Sequence, residues 1–301
     1  MLNGKKLVFI VGSARSGTTW LQQVLSQSSN VATGPETHLF SSYLRSPEDA
    51  WRRHEGTYVG LSHLVTEDEL AEWIRDFAEF CLGRIAERKP AARIVVEKTP
   101  KHGECAADIL KLFPEAFFIH IIRDPRAVVP SLRAAAGSWG SRWAPKKLTE
   151  ASRKWQKDVE NARRPASLTE RYREVRYESL HADGAGEIAR LFAWMGEPVG
   201  DGEAGAYVAA SAFDKVRSAV AEEDVDKRFF RRGEVDSWRR ELSGSDIAII
   251  ERLTRKQMAA LGYQPVAGRR DRMIAEARLQ AYRAANKFAK AARAGADRIK
   301  P

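Results

Sequence analysis

The tightest constraint on this chain is a pair of glycines. Gly12 and Gly17 bracket Ser13-Ala14-Arg15-Ser16, the pair Thr18-Thr19 follows, and the apolar run at residues 7–11 comes directly before. A short unbroken apolar run bounded by glycine reads as a strand buried on both faces, which means a parallel sheet. The spacing G-x-x-x-x-G-x-T is that of a phosphate-binding loop, in which the glycines let the backbone curl and point successive N–H groups inward. A helix starting at Thr18 adds its positive N-terminal end. Nucleotide hydrolases carry a lysine after the second glycine to reach the outer phosphates, and this chain has Thr18 there. Its cation is Arg15, inside the loop. That arrangement serves a magnesium-bound triphosphate poorly and a phosphate joined to one other tetrahedral anion well.

Alternating signals continue downstream. Residues 93–96, 117–122 and 174–177 read as strands; 18–28, 66–88, 104–113, 148–163, 185–195 and 246–261 read as helices. Thr66 is the expected cap of the second helix and Gly262 the stop of the last. Asp124-Pro125 opens a further helix, which Pro130 is expected to kink. The fold class is therefore α/β, a parallel β-sheet flanked by helices, with ligands expected beyond the carboxyl ends of the strands. Residues 41–63, 134–147 and 200–205 read as loops.

At 301 residues and 44% hydrophobic content the chain has ample material for a core, which excludes a disordered protein. Residues 1–265 are expected to form one domain and residues 266–301 a basic helical tail. That tail holds ten Lys or Arg against three Asp or Glu, so +7 of the net +10 lies there. Ile274, Ala277, Ala281, Ala285 and Phe288 form a thin stripe along it, mostly alanine, which suits packing on the body better than a membrane surface. The two cysteines, Cys81 and Cys105, have no metal-like spacing. No leader or spanning segment is evident, so a cytoplasmic, reducing environment is expected.

Chemistry is sought at the strand ends. Arg123 closes the third strand and Ser131 stands eight residues on; a guanidinium and a hydroxyl suit a second phosphate. Left to themselves, Arg123 would pair with a carboxylate and Ser131 would be an ordinary helix residue. Glu97-Lys98 closes the second strand, and His102 follows. Gly34-Pro35-Glu36-Thr37-His38 follows the helix after the loop, offering a carboxylate that is either a base or an exposed loop residue.

These motifs resemble the 3′-phosphoadenosine 5′-phosphosulfate (PAPS)-dependent sulfotransferase family over roughly residues 6–263. Arg15, Ser16, Gly17, Thr18 and Thr19 look like its 5′-phosphosulfate loop. Trp20 matches a tryptophan that lies against the adenine. Arg123 and Ser131 match its 3′-phosphate element, and Arg231, Arg232 and Gly233 resemble the segment that closes over that phosphate. The resemblance implies a P-loop-like fold, PAPS as co-substrate, no metal, and sulfuryl transfer to a hydroxyl. It also implies catalytic roles: Glu36 as general base, as in the carbohydrate- and tyrosine-sulfating branches; His38 orienting the acceptor or the base; Lys98 with Arg15 offsetting charge on the leaving group. His102 is the second-choice base, because Pro100 occupies the place of the histidine in the cytosolic branch. Glu36 favours a carbohydrate or related alcohol among small-molecule, carbohydrate and lipid acceptors; no nucleic-acid partner is expected. A P-loop kinase or hydrolase, and a non-catalytic nucleotide-binding protein, remain alternatives.

Overall fold

Five strands form one sheet, parallel throughout, in the order β2-β3-β1-β4-β5: β1 (Lys6–Gly12), β2 (Val31–Thr33), β3 (Ile94–Glu97), β4 (Phe117–Ile122) and β5 (Tyr172–Arg176). The computed structural model describes residues 2, 4–212 and 234–297. Their continuous apolar runs suit β1, β3 and β4 to the middle of the sheet, where both faces are covered. Alternate side chains feed two cores. Phe9, Val11, Val95 and Phe118 point to one, with Phe9 stacked on Phe118 at 5.5 Å between ring centroids. Val8, Ile10, Val96, Ile119 and Ile121 point to the other.

The helices that return the chain between parallel strands include α1 (Thr18–Ser26), α2 (Arg45–His54), α3 (Glu67–Ala86) and α4 (Ala106–Leu112). Thr66 caps α3 in a reciprocal box with Glu69, as the sequence predicts. Residues 41–63, expected as loop, instead carry a π-helical turn at Leu39–Tyr43, α2, and a 3₁₀ turn at Leu61–His63. Buried Leu39, Phe40, Leu44 and Trp51 tie this segment to the core, a pull that polar composition conceals. Residues 104–113 begin earlier, as a 3₁₀ turn at Pro100–Cys105, because proline starts a helical turn readily.

Two compact units emerge. One comprises Met1–Arg123 and Lys157–Val235 and contains the whole sheet; the other comprises Asp124–Gln156 and Asp236–Pro301. α6 (Leu148–Ala162) runs through the boundary in sequence. In the first unit, the strand expected at 174–177 lies two residues earlier, and Tyr177 opens α7 (Tyr177–Ala182), followed by α8 (Gly184–Trp194). Of residues 200–205, expected as loop, Gly200 is the cap and the rest belong to α9 (Asp201–Ala210), pinned by buried Ala204.

The second unit holds α5 (Pro125–Ala136), which continues through Pro130, with α10 (Trp238–Glu241), α11 (Gly244–Ala260) and α12 (Arg269–Asp297). Asp124 caps α5 by accepting from the Arg126 N–H at 2.8 Å. The buried Arg126 guanidinium pairs with Asp124 at 2.7 Å and Glu251 at 3.0 Å, donates to the Gln264 carbonyl at 2.9 Å, and lies over the Trp238 ring. Two carboxylates around one buried cation satisfy it, and removing the arginine would leave both carboxylates buried without their cation. Among the described side chains of α12 the buried ones are Ala275 and Leu279, whereas Ile274 of the expected stripe is 42% exposed. The packing face is rotated from the one predicted, and Arg278 fixes it with a 2.9 Å pair to Asp246.

Candidate active site

The loop between β1 and α1 has the curled form its glycines allow. Gly17 sits at φ 98°, Gly12 at φ 146° and Arg15 at φ 75°. Arg15 and His38 are the two non-glycine residues with positive φ among the described residues. Such conformations are held only where surrounding structure imposes them. Ser16 N–H closes a turn onto the Ser13 carbonyl at 3.1 Å, and Ser13 Oγ donates to Asp158 Oδ2 at 2.9 Å. A Cβ on Gly17 would lie 2.5 Å from the Tyr177 ring. Ser16 Oγ is buried without a protein partner. A buried hydroxyl beside a cradle of N–H groups and a helix N-terminus fits an anionic oxygen.

One flank of the loop carries a continuous polar chain. Lys98, buried at the end of β3, donates to Thr19 Oγ1 at 3.2 Å and pairs with Glu36 Oε1. The other oxygen of Glu36 faces His38 Nε2 at 3.5 Å. The Glu36 side chain is 37% exposed, so it meets solvent and the lysine at once. α1 reaches across to this segment: Gln22 Nε2 donates to Thr33 Oγ1 at 2.6 Å and to the Gly34 carbonyl at 2.7 Å. The structure thus brings Thr19, Glu36, His38 and Lys98 into one group.

Glu97 points away from Lys98, as strand alternation requires. It is buried and accepts from Thr37 N–H at 3.1 Å, Thr37 Oγ1 at 2.9 Å, Thr99 Oγ1 at 2.6 Å and His102 Nδ1 at 2.8 Å. Burial pushes its pKa up, but the groups around it, His102 foremost, pull it further down and hold it ionised. His102 is itself fully buried, and its Nε2 accepts from the Phe40 N–H at 3.3 Å. Both ring nitrogens are engaged and no edge reaches solvent. His102 is therefore removed as second-choice base.

The other flank is aromatic. The Arg123 guanidinium lies over the Tyr177 ring at 3.9 Å and donates to the Glu234 carbonyl at 3.0 Å. Trp20 runs near-parallel to the His181 ring at 6.0 Å, meets Tyr177 edge-on at 6.1 Å, and donates to the Ser211 carbonyl at 3.0 Å. His181 is pushed below its usual pKa by burial and then by the Arg123 charge, which favours a neutral ring. Tyr177, which the sequence places inside a strand at 174–177, and His181, which no motif singles out, both belong to this aromatic flank. Ser131 lies buried on α5, in the second unit. Arg231, Arg232 and Gly233 lie outside the described residues. Among the described residues no group of three His, Cys, Asp or Glu side chains is arranged to hold a metal, and no helix is long and apolar enough to cross a membrane.

Comparison with known proteins is consistent with this geometry. A family model described as "Sulfotransferase family" matches residues 8–201. A putative protein-tyrosine sulfotransferase of Caenorhabditis briggsae is 31% identical over 130 residues, covering 43% of this chain and 44% of the relative. The nodulation protein NoeE of Sinorhizobium fredii is 24% identical over 286 residues, covering 86% of this chain and 66% of the relative. The chain thus spans less than two thirds of the length of either relative. Among solved structures, mouse sulfotransferase SULT7A1 complexed with PAP superposes with a TM-score of 0.58 at 15% identity, covering 84% of this chain and 85% of that one.

Proposed function

Because the chain belongs to the sulfotransferase family, we propose that it moves the sulfuryl group of PAPS onto an acceptor hydroxyl and releases adenosine 3′,5′-bisphosphate. The observation that carries this reading is the chain Thr19–Lys98–Glu36, which joins a phosphate loop to an exposed carboxylate through one buried cation. A kinase or hydrolase reading has no lysine after Gly17 to support it, and a pure binder has no use for the carboxylate.

The residues divide the work as follows. Arg15, the N–H groups of Gly17–Thr19 and the orphan Ser16 hydroxyl hold the 5′ end of the nucleotide. Arg123 takes the 3′-phosphate, and Trp20 with His181 and Tyr177 forms an apolar wall for the base. Bound PAPS supplies a sulfur electrophile with a bisphosphorylated nucleotide as leaving group. Glu36 accepts the acceptor's proton, while Lys98 and Arg15 offset the charge that grows on the departing oxygen, in a site where fixed cations need no reorganisation.

The acceptor is taken to be a carbohydrate or related alcohol. A tyrosine phenol is the second reading, favoured by the name of the nematode relative. Labelled sulfate from PAPS, offered to oligosaccharide and tyrosyl-peptide panels and followed by mass analysis, separates the two. A first check precedes it. Calorimetry is expected to show adenosine 3′,5′-bisphosphate binding roughly tenfold to a hundredfold more tightly than AMP, the worth of one charge-assisted phosphate contact. Equal affinities would remove the role of Arg123 and the PAPS assignment with it.

A further inference from the structure

Four consecutive amides of the segment that presents Glu36 are each held by a side chain. Thr37 N–H donates to Glu97, His38 N–H to Thr99 Oγ1 at 3.2 Å, Leu39 N–H to Thr37 Oγ1 at 3.1 Å, and Phe40 N–H to His102. Both threonine hydroxyls then donate onward to the same Glu97 oxygen, and His102 donates to the other. Every acceptor in this set is therefore organised by one buried carboxylate. The segment it holds contains His38 at φ 51°, a conformation unfavourable for a residue with a side chain unless it is imposed.

We propose that Glu97 and His102 are positioning residues for the general base. Together with Thr37 and Thr99 they form a buried clasp that fixes the left-handed turn at His38 and so sets the Glu36 carboxylate against Lys98. This rests on the reading of Glu36 as base. Neither Glu97 nor His102 touches the loop of residues 12–19 through any described hydrogen bond, so the clasp acts on the acceptor side of the reaction and not on nucleotide binding.

The clasp also fixes a tautomer. Phe40 N–H faces Nε2, so that nitrogen carries the lone pair, and the proton sits on Nδ1 facing Glu97. Glu97→Gln tests this sharply, because no amide orientation satisfies the set. With the amide nitrogen towards His102, the ring must protonate at Nε2 and oppose the Phe40 N–H. With the amide reversed, its nitrogen opposes the Thr37 N–H.

Nitrogen-15 spectra of the full chain are expected to show His102 protonated at Nδ1 and unprotonated at Nε2. In Glu97→Gln, amide exchange at Thr37 and Phe40 is expected to quicken by roughly tenfold or more, with β1 amides unchanged. Affinity for adenosine 3′,5′-bisphosphate stays within about twofold, and transfer of label from PAPS into a cell extract falls by about tenfold or more. The double variant Glu36→Gln/Glu97→Gln is expected to be no slower than Glu36→Gln alone, since a residue that acts only through another adds nothing once that other is gone. Thr99→Val, which removes one acceptor, repeats the pattern at smaller size if Glu97→Gln does not fold. The clasp is overturned by an Nε2–H ring in the native protein, by full transfer in Glu97→Gln, or by nucleotide affinity falling in step with transfer. A native protein that transfers no label overturns the base reading instead, and the tautomer and exchange data still decide the clasp.

Discussion

Glu36→Gln is expected to bind adenosine 3′,5′-bisphosphate within about twofold of the native affinity and to lose roughly 10²–10⁴-fold in turnover, the range for a general base. The side chain keeps its length, and its amide oxygen still accepts from Lys98, so the pair that fixes Lys98 beside Thr19 survives in shape. What disappears is the basic oxygen. An amide cannot take the acceptor's proton as the sulfur–oxygen bond forms, and two neighbouring groups cannot stand in for it: His102 is fully buried with both nitrogens engaged, and Glu97 is spent on four hydrogen bonds. Removing a negative charge next to Lys98 also leaves more positive field over the loop, so nucleotide binding has no reason to weaken. Stopped-flow transfer and calorimetry on the same preparation check both halves. Turnover and affinity falling by the same factor would mean that Glu36 holds the nucleotide and is not the base.

How much of this could be read from residues alone depends on whether the deciding contact is local. The run at residues 117–122 matches β4 because a strand buried on both faces must be apolar throughout, and Thr66 is visible as a cap because its partner Glu69 lies three residues away. The Gly12–Thr19 loop was legible for the same reason. β2 was not, since three residues carry no period, and neither was α2, whose polar sequence hides the few side chains that anchor it. In the site, Glu36 and Lys98 were each legible by motif, but their contact joins positions 62 residues apart. His102 shows the limit most clearly. A histidine four residues after Lys98 reads as a base, and only the tertiary placement of Phe40 and Glu97 around its ring turns it into a positioning residue.

Gly12→Ala is expected to destabilise the protein by roughly 3 kcal/mol or more and to abolish measurable nucleotide binding. The backbone at Gly12 has φ 146°, which an alanine adopts only under strain, and its Cβ would fall 2.5 Å from the carbonyl oxygen of Ile121. That obstacle is backbone, not the free end of a side chain, and Ile121 is the residue paired with Gly12 in the β1–β4 ladder. Relief therefore requires the carboxyl ends of the two central strands to separate. One of those ends feeds the loop that starts at Ser13, and the other leads within two residues to Arg123, so a single methyl group would move both anion sites. Urea denaturation measures the stability and calorimetry with adenosine 3′,5′-bisphosphate the binding. Gly137→Ala is the matched control: Gly137 caps α5 at φ −83°, a Cβ there meets its nearest neighbour at an ordinary 3.6 Å, and the change is expected to cost nothing or to stabilise slightly through the unfolded chain. If Gly12→Ala proved as stable as that control and bound the nucleotide normally, the close approach of β1 to β4 would not be what shapes the loop.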